Sequence, residues 1–187
     1  QGVILRNKVP AGVDLNQTVM GQIASTFVDQ FAKLHEFDYQ AAGLEDIGRP
    51  DGYVRRQVSG WQKRYFAAKT DDLPQVEAAA RWLSEFQPGE SGLALIHNDY
   101  KYDNLVLDPS DLGQILAILD WEMATVGDPL MDLGTSLGYW AEPGDGPELA
   151  KFGLTTLPGN PNREQLVAQY EQATGKQVAN PVFYYVF

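Results

Sequence analysis

Leu95-Ile96-His97-Asn98-Asp99-Tyr100-Lys101-Tyr102-Asp103-Asn104-Leu105-Val106-Leu107 is a run of polar residues held between two short apolar segments. Apolar segments of this length, bounded by turn residues, read as buried strands. Leu93–Ile96 is the first strand, Leu105–Leu107 the second and Ile115–Leu119 the third. Asp108-Pro109-Ser110-Asp111-Leu112-Gly113 lies between the last two and is turn chemistry, so these two strands form a hairpin. Asn104 stands five positions after Asp99. Asp120, in Leu119-Asp120-Trp121-Glu122, stands sixteen positions beyond Asn104, just after the third strand.

Helical patterns surround this β element. Val19, Ile23, Phe27, Phe31 and Leu34 recur at spacings of three and four, which predicts an amphipathic helix over about 16–36. Val54, Val58, Trp61 and Tyr65 suggest a second stripe. Asp71-Asp72-Leu73-Pro74 is a helix start, followed by Val76, Ala80, Leu83 and Phe86. Leu130, Leu133, Leu137 and Trp140 carry a fourth helix from Pro129, with Asp128 as its cap. Leu166, Val167 and Tyr170 mark a last helix, stopped by Gly175. The fold class is α+β, mostly α, with a small central β-hairpin.

Composition narrows the function. The 187 residues, 44% of them hydrophobic, suit a single domain over 1–187 with a real core. Fourteen Lys and Arg against 25 Asp and Glu give a net charge of −11. So acidic a chain is a poor partner for nucleic-acid phosphates and is repelled by anionic lipid, so neither partner is expected. With no cysteine, disulfides, thiolate catalysis and Cys-ligated zinc are excluded, and a reducing, cytoplasmic compartment is compatible. No apolar run approaches the roughly 20 residues of a spanning helix. The chain starts without Met and stops on the apolar Val182–Phe187, which suggests truncation at both ends.

Phosphoryl transfer accounts for Asp99, Asn104 and Asp120. The reaction asks the protein for positioning and charge neutralisation more than for covalent chemistry. A carboxylate must accept the proton of the attacking hydroxyl. Hard oxygen ligands must hold magnesium on the nucleotide phosphates. Two residues of a loop and one at the end of the following hairpin can converge on one such site. The bland alternative is ordinary turn chemistry, in which Asp and Asn mark strand ends.

His97-x-Asp99-x-x-x-x-Asn104 followed by Leu119-Asp120-Trp121-Glu122 resembles the aminoglycoside phosphotransferase family, which shares the protein-kinase fold. Leu34-His35, Gly52–Trp61 and Gly127-Asp128-Pro129-Leu130-Met131-Asp132-Leu133 fit in family order, so the likeness covers nearly the whole chain. Within the family it is most similar to the kinase-like domains attached to some acyl-CoA dehydrogenases. The resemblance implies a C-terminal kinase-like lobe, with the N-terminal lobe absent from this chain and expected in the complete protein. Gln1–Leu5 looks like the segment just after the hinge. The implied co-substrate is ATP or GTP, with Mg2+. Asp99 is then the catalytic base, Asn104 and Asp120 the magnesium ligands, His97 a brace for the loop, and Lys101 a contact near the transferred phosphate. The implied acceptor is a small-molecule hydroxyl, either aminoglycoside-like or a hydroxyacyl thioester. Asn98 departs from the family, which has Gly there; Asn tolerates left-handed backbone angles better than most residues.

Other residues have two readings. Asp132 braces the loop or serves the helix dipole. Glu122 lines the substrate site or sits on an exposed loop. Asp103 is surface or loop-bracing, and His35 is a helix-end residue. Arg55, Arg56, Lys63, Arg64 and Lys69 are a solvated helix face or a dock for an anionic substrate. A magnesium-dependent phosphohydrolase and a non-catalytic kinase-like module are the rival functions.

Overall fold

The structure is a computed structural model and describes residues 2–187; Gln1, placed above in a segment following a hinge, lies outside the described residues. The core is built on α1 (Gln17–Glu36). Asn16 caps it by accepting from the backbone N–H of Thr18 and Val19, each at 3.1 Å. Met20, Ile23, Phe27, Phe31 and Leu34 form its buried stripe. Phe31 stacks on the ring of Tyr100, with centroids 4.3 Å apart, so the helix packs directly beneath the polar loop.

α2 (Tyr53–Ala68) and α3 (Pro74–Glu85) pack on each other. The α2 stripe read from the sequence runs off the core. Tyr53, Val54 and Val58 are buried, but Trp61 is 51% exposed. In α3, Ala80 and Leu83 are buried while Val76 and Phe86 face outward.

The β element is larger than a hairpin. β1 (Ala94–Ile96) pairs antiparallel with β4 (Thr125–Gly127), a strand that no periodicity announced. β2 (Leu105–Asp108) and β3 (Asp111–Ile118) form the expected hairpin. Its turn is tighter than the composition suggested: Asp108 sits opposite Asp111, and the Asp108 carboxylate accepts from the Ser110 N–H at 2.7 Å. β3 therefore starts four residues before its apolar run, at Asp111 opposite Asp108, with an irregularity in the register before Ile115 meets Leu107. A Cβ on Gly127 would lie 2.6 Å from Ile96 Cδ1 and 2.8 Å from the Tyr53 ring, so only glycine lets β4 lie this close to β1 and α2.

α4 (Pro129–Tyr139) starts at Asp128, whose side chain accepts from Leu130 N–H at 2.8 Å. It is apolar on nearly all sides and runs through the middle of the lobe. α5 (Arg163–Thr174) has a capping box of Asn162 and Gln165 and ends at Gly175 in the left-handed region. The apolar terminal run is not loose surface. It forms α6 (Pro181–Val186), which buries Phe183 and Tyr184 against α4 and leaves Val182 exposed. Among the described residues, no helix is long and apolar enough to cross a membrane.

Candidate active site

The loop between β1 and β2 is held from below by one buried carboxylate. Asp132, in the first turn of α4, accepts from the backbone N–H of His97 and of Asn98, each at 2.7 Å. It accepts a third bond from His35 Nε2 at 3.1 Å. Because a carboxylate only accepts, His35 carries a proton on Nε2, and Nδ1 shares a hydrogen bond of 2.7 Å with the Tyr170 hydroxyl. Burial raises the pKa of that hydroxyl. The chain Tyr170–His35–Asp132 thus ties α5, α1 and α4 to the loop. Of the two readings of Asp132, the geometry is that of a loop brace.

Asn98 has φ of 63°, in the left-handed region. Its side chain is held at both ends: Oδ1 accepts from the Tyr53 hydroxyl at 3.2 Å, and Nδ2 donates to the Met123 carbonyl at 2.9 Å. Asn supplies the angle that glycine would and adds two tethers to α2 and to the turn after Asp120.

The turn at Asn98 presents Asp99. Both carboxylate oxygens have a donor: Lys101 Nζ reaches Oδ1 at 2.8 Å and Asn104 Nδ2 reaches Oδ2 at 2.8 Å. Each oxygen retains a lone pair for a further donor. Burial is the largest single influence and works against the Lys101 charge, but the hydrogen bond and charge of Asp99, with Tyr139 and Asp103, together outweigh it and hold the ammonium above its ordinary pKa. The Tyr139 ring adds a cation–π contact, 4.3 Å from Lys101 Nζ to its centroid. Asn104 Nδ2 also donates to the Asp99 carbonyl at 2.8 Å. Two acceptor-only partners fix that amide's orientation, and Oδ1 is left without a protein partner among the described residues.

Asp120 reaches the same region through backbone. Leu119 N–H donates to the Asn104 carbonyl at 2.8 Å, and Leu119 C=O accepts from His97 Nε2 at 2.8 Å. Asp120 then turns into the left-handed region, with φ of 65°. Its carboxylate is exposed and has no hydrogen bond or ion pair among the described residues. No cluster of three His, Cys, Asp or Glu side chains among the described residues could hold a metal alone. The donor set of Asn104 and Asp120 suits a hard cation that takes the rest of its shell from phosphates and water. Asp103 lies in the same loop with Oδ1 buried and unpaired, and burial raises its pKa.

A cavity of about 720 Å³ opens beside Asp99. Tyr53, Trp61, Met123, Tyr139, Tyr185 and Phe187 contribute to its wall, together with Gln57 and Arg64. The basic cluster of α2 divides here. Arg56 donates to the Arg49 carbonyl, Lys69 pairs with Asp72 and Glu77, and Arg64 lines the cavity. Glu122 is exposed and outside the cavity lining. Tyr53, Trp61 and the terminal aromatics were not read as site residues; Tyr53 and Trp61 stood within the Gly52–Trp61 segment and the terminal aromatics within the apolar run Val182–Phe187.

A lobe of helices around a paired hairpin, with a tethered polar loop hydrogen-bonded to the strand end that precedes Asp120, is the arrangement of the kinase-like phosphotransferase class. The chain belongs to the phosphotransferase enzyme family, whose model matches residues 7–168. Acyl-CoA dehydrogenase family member 11 of Homo sapiens is 33% identical over 176 residues, 94% of this chain and 22% of that protein. A solved structure from Ralstonia eutropha, assigned as an aminoglycoside phosphotransferase, is 30% identical with a TM-score of 0.85, covering 99% of this chain and 56% of that one. An aminoglycoside phosphotransferase of Streptomyces rimosus, solved with ADP and streptomycin, shares the fold at 15% identity and a TM-score of 0.55, covering 92% of this chain and 63% of that one. The chain spans about a fifth of the length of the curated relatives it matches.

Proposed function

We propose that residues 1–187 form the C-terminal lobe of an enzyme that transfers the γ-phosphate of ATP or GTP to a hydroxyl of a small molecule. Asp99 is the base, Asn104 and Asp120 are the magnesium ligands, and Lys101 sits beside the phosphate in flight. The observation that carries this reading is the contrast among the three oxygen-bearing residues. Asp99 is held by two donors beside a cavity, while Asn104 Oδ1 and the Asp120 carboxylate are left without protein partners.

The acceptor hydroxyl donates to a free lone pair of Asp99, which orients it and takes its proton as the new P–O bond forms and the bond from the γ-phosphorus to the β-phosphate oxygen breaks, releasing ADP or GDP. Lys101 remains protonated through its bond to Asp99 and offers its remaining donors to phosphate oxygens. Asn104 keeps Asp99 in one rotamer, and His97 keeps the loop in register with Asp120. Magnesium, when bound, would neutralise charge on the nucleotide phosphates. The cover and the second grip on those phosphates come, in this proposal, from an N-terminal lobe outside these residues. A cytoplasmic setting suits the use of ATP.

The test follows phosphorus by NMR in the complete protein with Mg-ATP and a panel of hydroxyl compounds. A phosphomonoester signal growing in step with ADP supports the proposal. ADP appearing with inorganic phosphate alone, at a rate no acceptor changes, supports a phosphohydrolase instead.

A further inference from the structure

The acceptor cavity carries a charge that its own walls do not neutralise. Arg64 lines it from α2, with its guanidinium 4.7 Å from the centroid of the Trp61 ring one turn earlier. Among the described residues no carboxylate pairs with Arg64, whereas Lys69, Lys101 and Arg163 are all in ion pairs. What marks Arg64 is its place, since it is the one cation among the described residues that line the cavity. Asp99 is the one carboxylate among the lining residues, and Lys101 and Asn104 already donate to both its oxygens. The rest of the wall is largely aromatic or apolar.

We infer that Arg64 is a specificity-determining residue of the acceptor site, pairing with a carboxylate or phosphate group on a hydroxyl compound that has an apolar body. This rests on the phosphotransferase reading for the identity of the cavity. A guanidinium stacked on an indole loses little freedom on pairing and presents a fork matched to either anion. A polycationic acceptor finds the opposite: one carboxylate, already paired, and a repelling cation. The overall acidity of the chain does not reverse this, because exposed charges beyond about 8 Å are screened at physiological salt.

The test is calorimetric titration of the full chain, without nucleotide, using four matched probes. These are 10-hydroxydecanoate, 10-hydroxydecyl phosphate, 1,10-decanediol and 10-amino-1-decanol. At physiological salt the two anions should bind about tenfold tighter than the diol, and the amine more weakly than the diol. Arg64→Gln should bring both anions to the diol's affinity and leave the diol within about twofold; Arg64→Lys should restore part of the preference. Whichever anion loses more names the group that Arg64 reads. Equal affinities in the unaltered chain, tightest binding of the amine, or Arg64→Gln weakening the diol as much as the acids would each overturn the inference. Because no ATP is present, failure of phosphoryl transfer leaves this result standing. Equal probe binding alongside intact transfer removes only the role given to Arg64.

Discussion

His97 donates from Nε2 to the carbonyl oxygen of Leu119 at 2.8 Å, one residue before Asp120. Its Nδ1 accepts from the Asp99 N–H at 3.2 Å, so one neutral imidazole spans from the loop that bears Asp99 to the strand end that bears Asp120. Its ring also meets Trp121 edge-on, with centroids 4.9 Å apart. His97→Ala should therefore misplace Asp120 relative to Asp99 without emptying the cavity. The expected result is a fall in kcat of about tenfold or more with acceptor KM little changed, and a raised magnesium requirement. If His97→Gln, which can still donate to Leu119, recovers none of the loss, the bridging role is wrong.

Asp132 is the buried counterpart of that bridge. Replacing it with alanine leaves the N–H groups of His97 and Asn98 and the His35 ring without their acceptor in a site closed to water. Each buried unsatisfied donor costs about 1–3 kcal/mol, so Asp132→Ala should lose at least about 3 kcal/mol of stability. Denaturant titration measures this. Asp132→Asn should be milder, since its one amide oxygen can still accept from part of the set, and equal losses in the two variants would contradict the account.

Asn104 and Asp120 should separate in a magnesium titration of the complete protein. Each variant to alanine removes one oxygen donor and should raise the half-saturating magnesium concentration. Asp120→Ala also removes a charge and should shift it further. Asn104→Ala carries a second effect, because it frees Asp99 Oδ2, and should lower kcat even at saturating metal. Unchanged half-saturation in both variants would sink the assignment.

The loop and hairpin were legible because their residues are contiguous. Strand, polar turn and strand follow one another, and Asn98 stood where the resembling family has Gly, which pointed to the left-handed angle it adopts. The supports were not legible. His35 meets Asp132 across 97 residues and Tyr170 across 135, and nothing local in a helix-end histidine indicates either partner. β4 has three residues, too few for a period. α6 read as an apolar end because the acceptor for Phe183 and Tyr184 is α4, about 50 residues earlier in the chain. The five cations of α2 and its end looked alike as a list. Helix phase and local acids distinguish them, leaving Arg64 on the cavity wall while Lys69 is drawn to Asp72 and Glu77.

The most direct measurement is the single-turnover rate of phosphoryl transfer in the complete protein, with and without Asp99→Asn. Asparagine keeps the size of the side chain, and its oxygen can still accept from Lys101 or Asn104. It lacks the charge needed to take a proton. Transfer should fall by at least about 100-fold, with nucleotide KM little changed and the chain still folded. Turnover within threefold of the unaltered protein would contradict the assignment of Asp99 as the base.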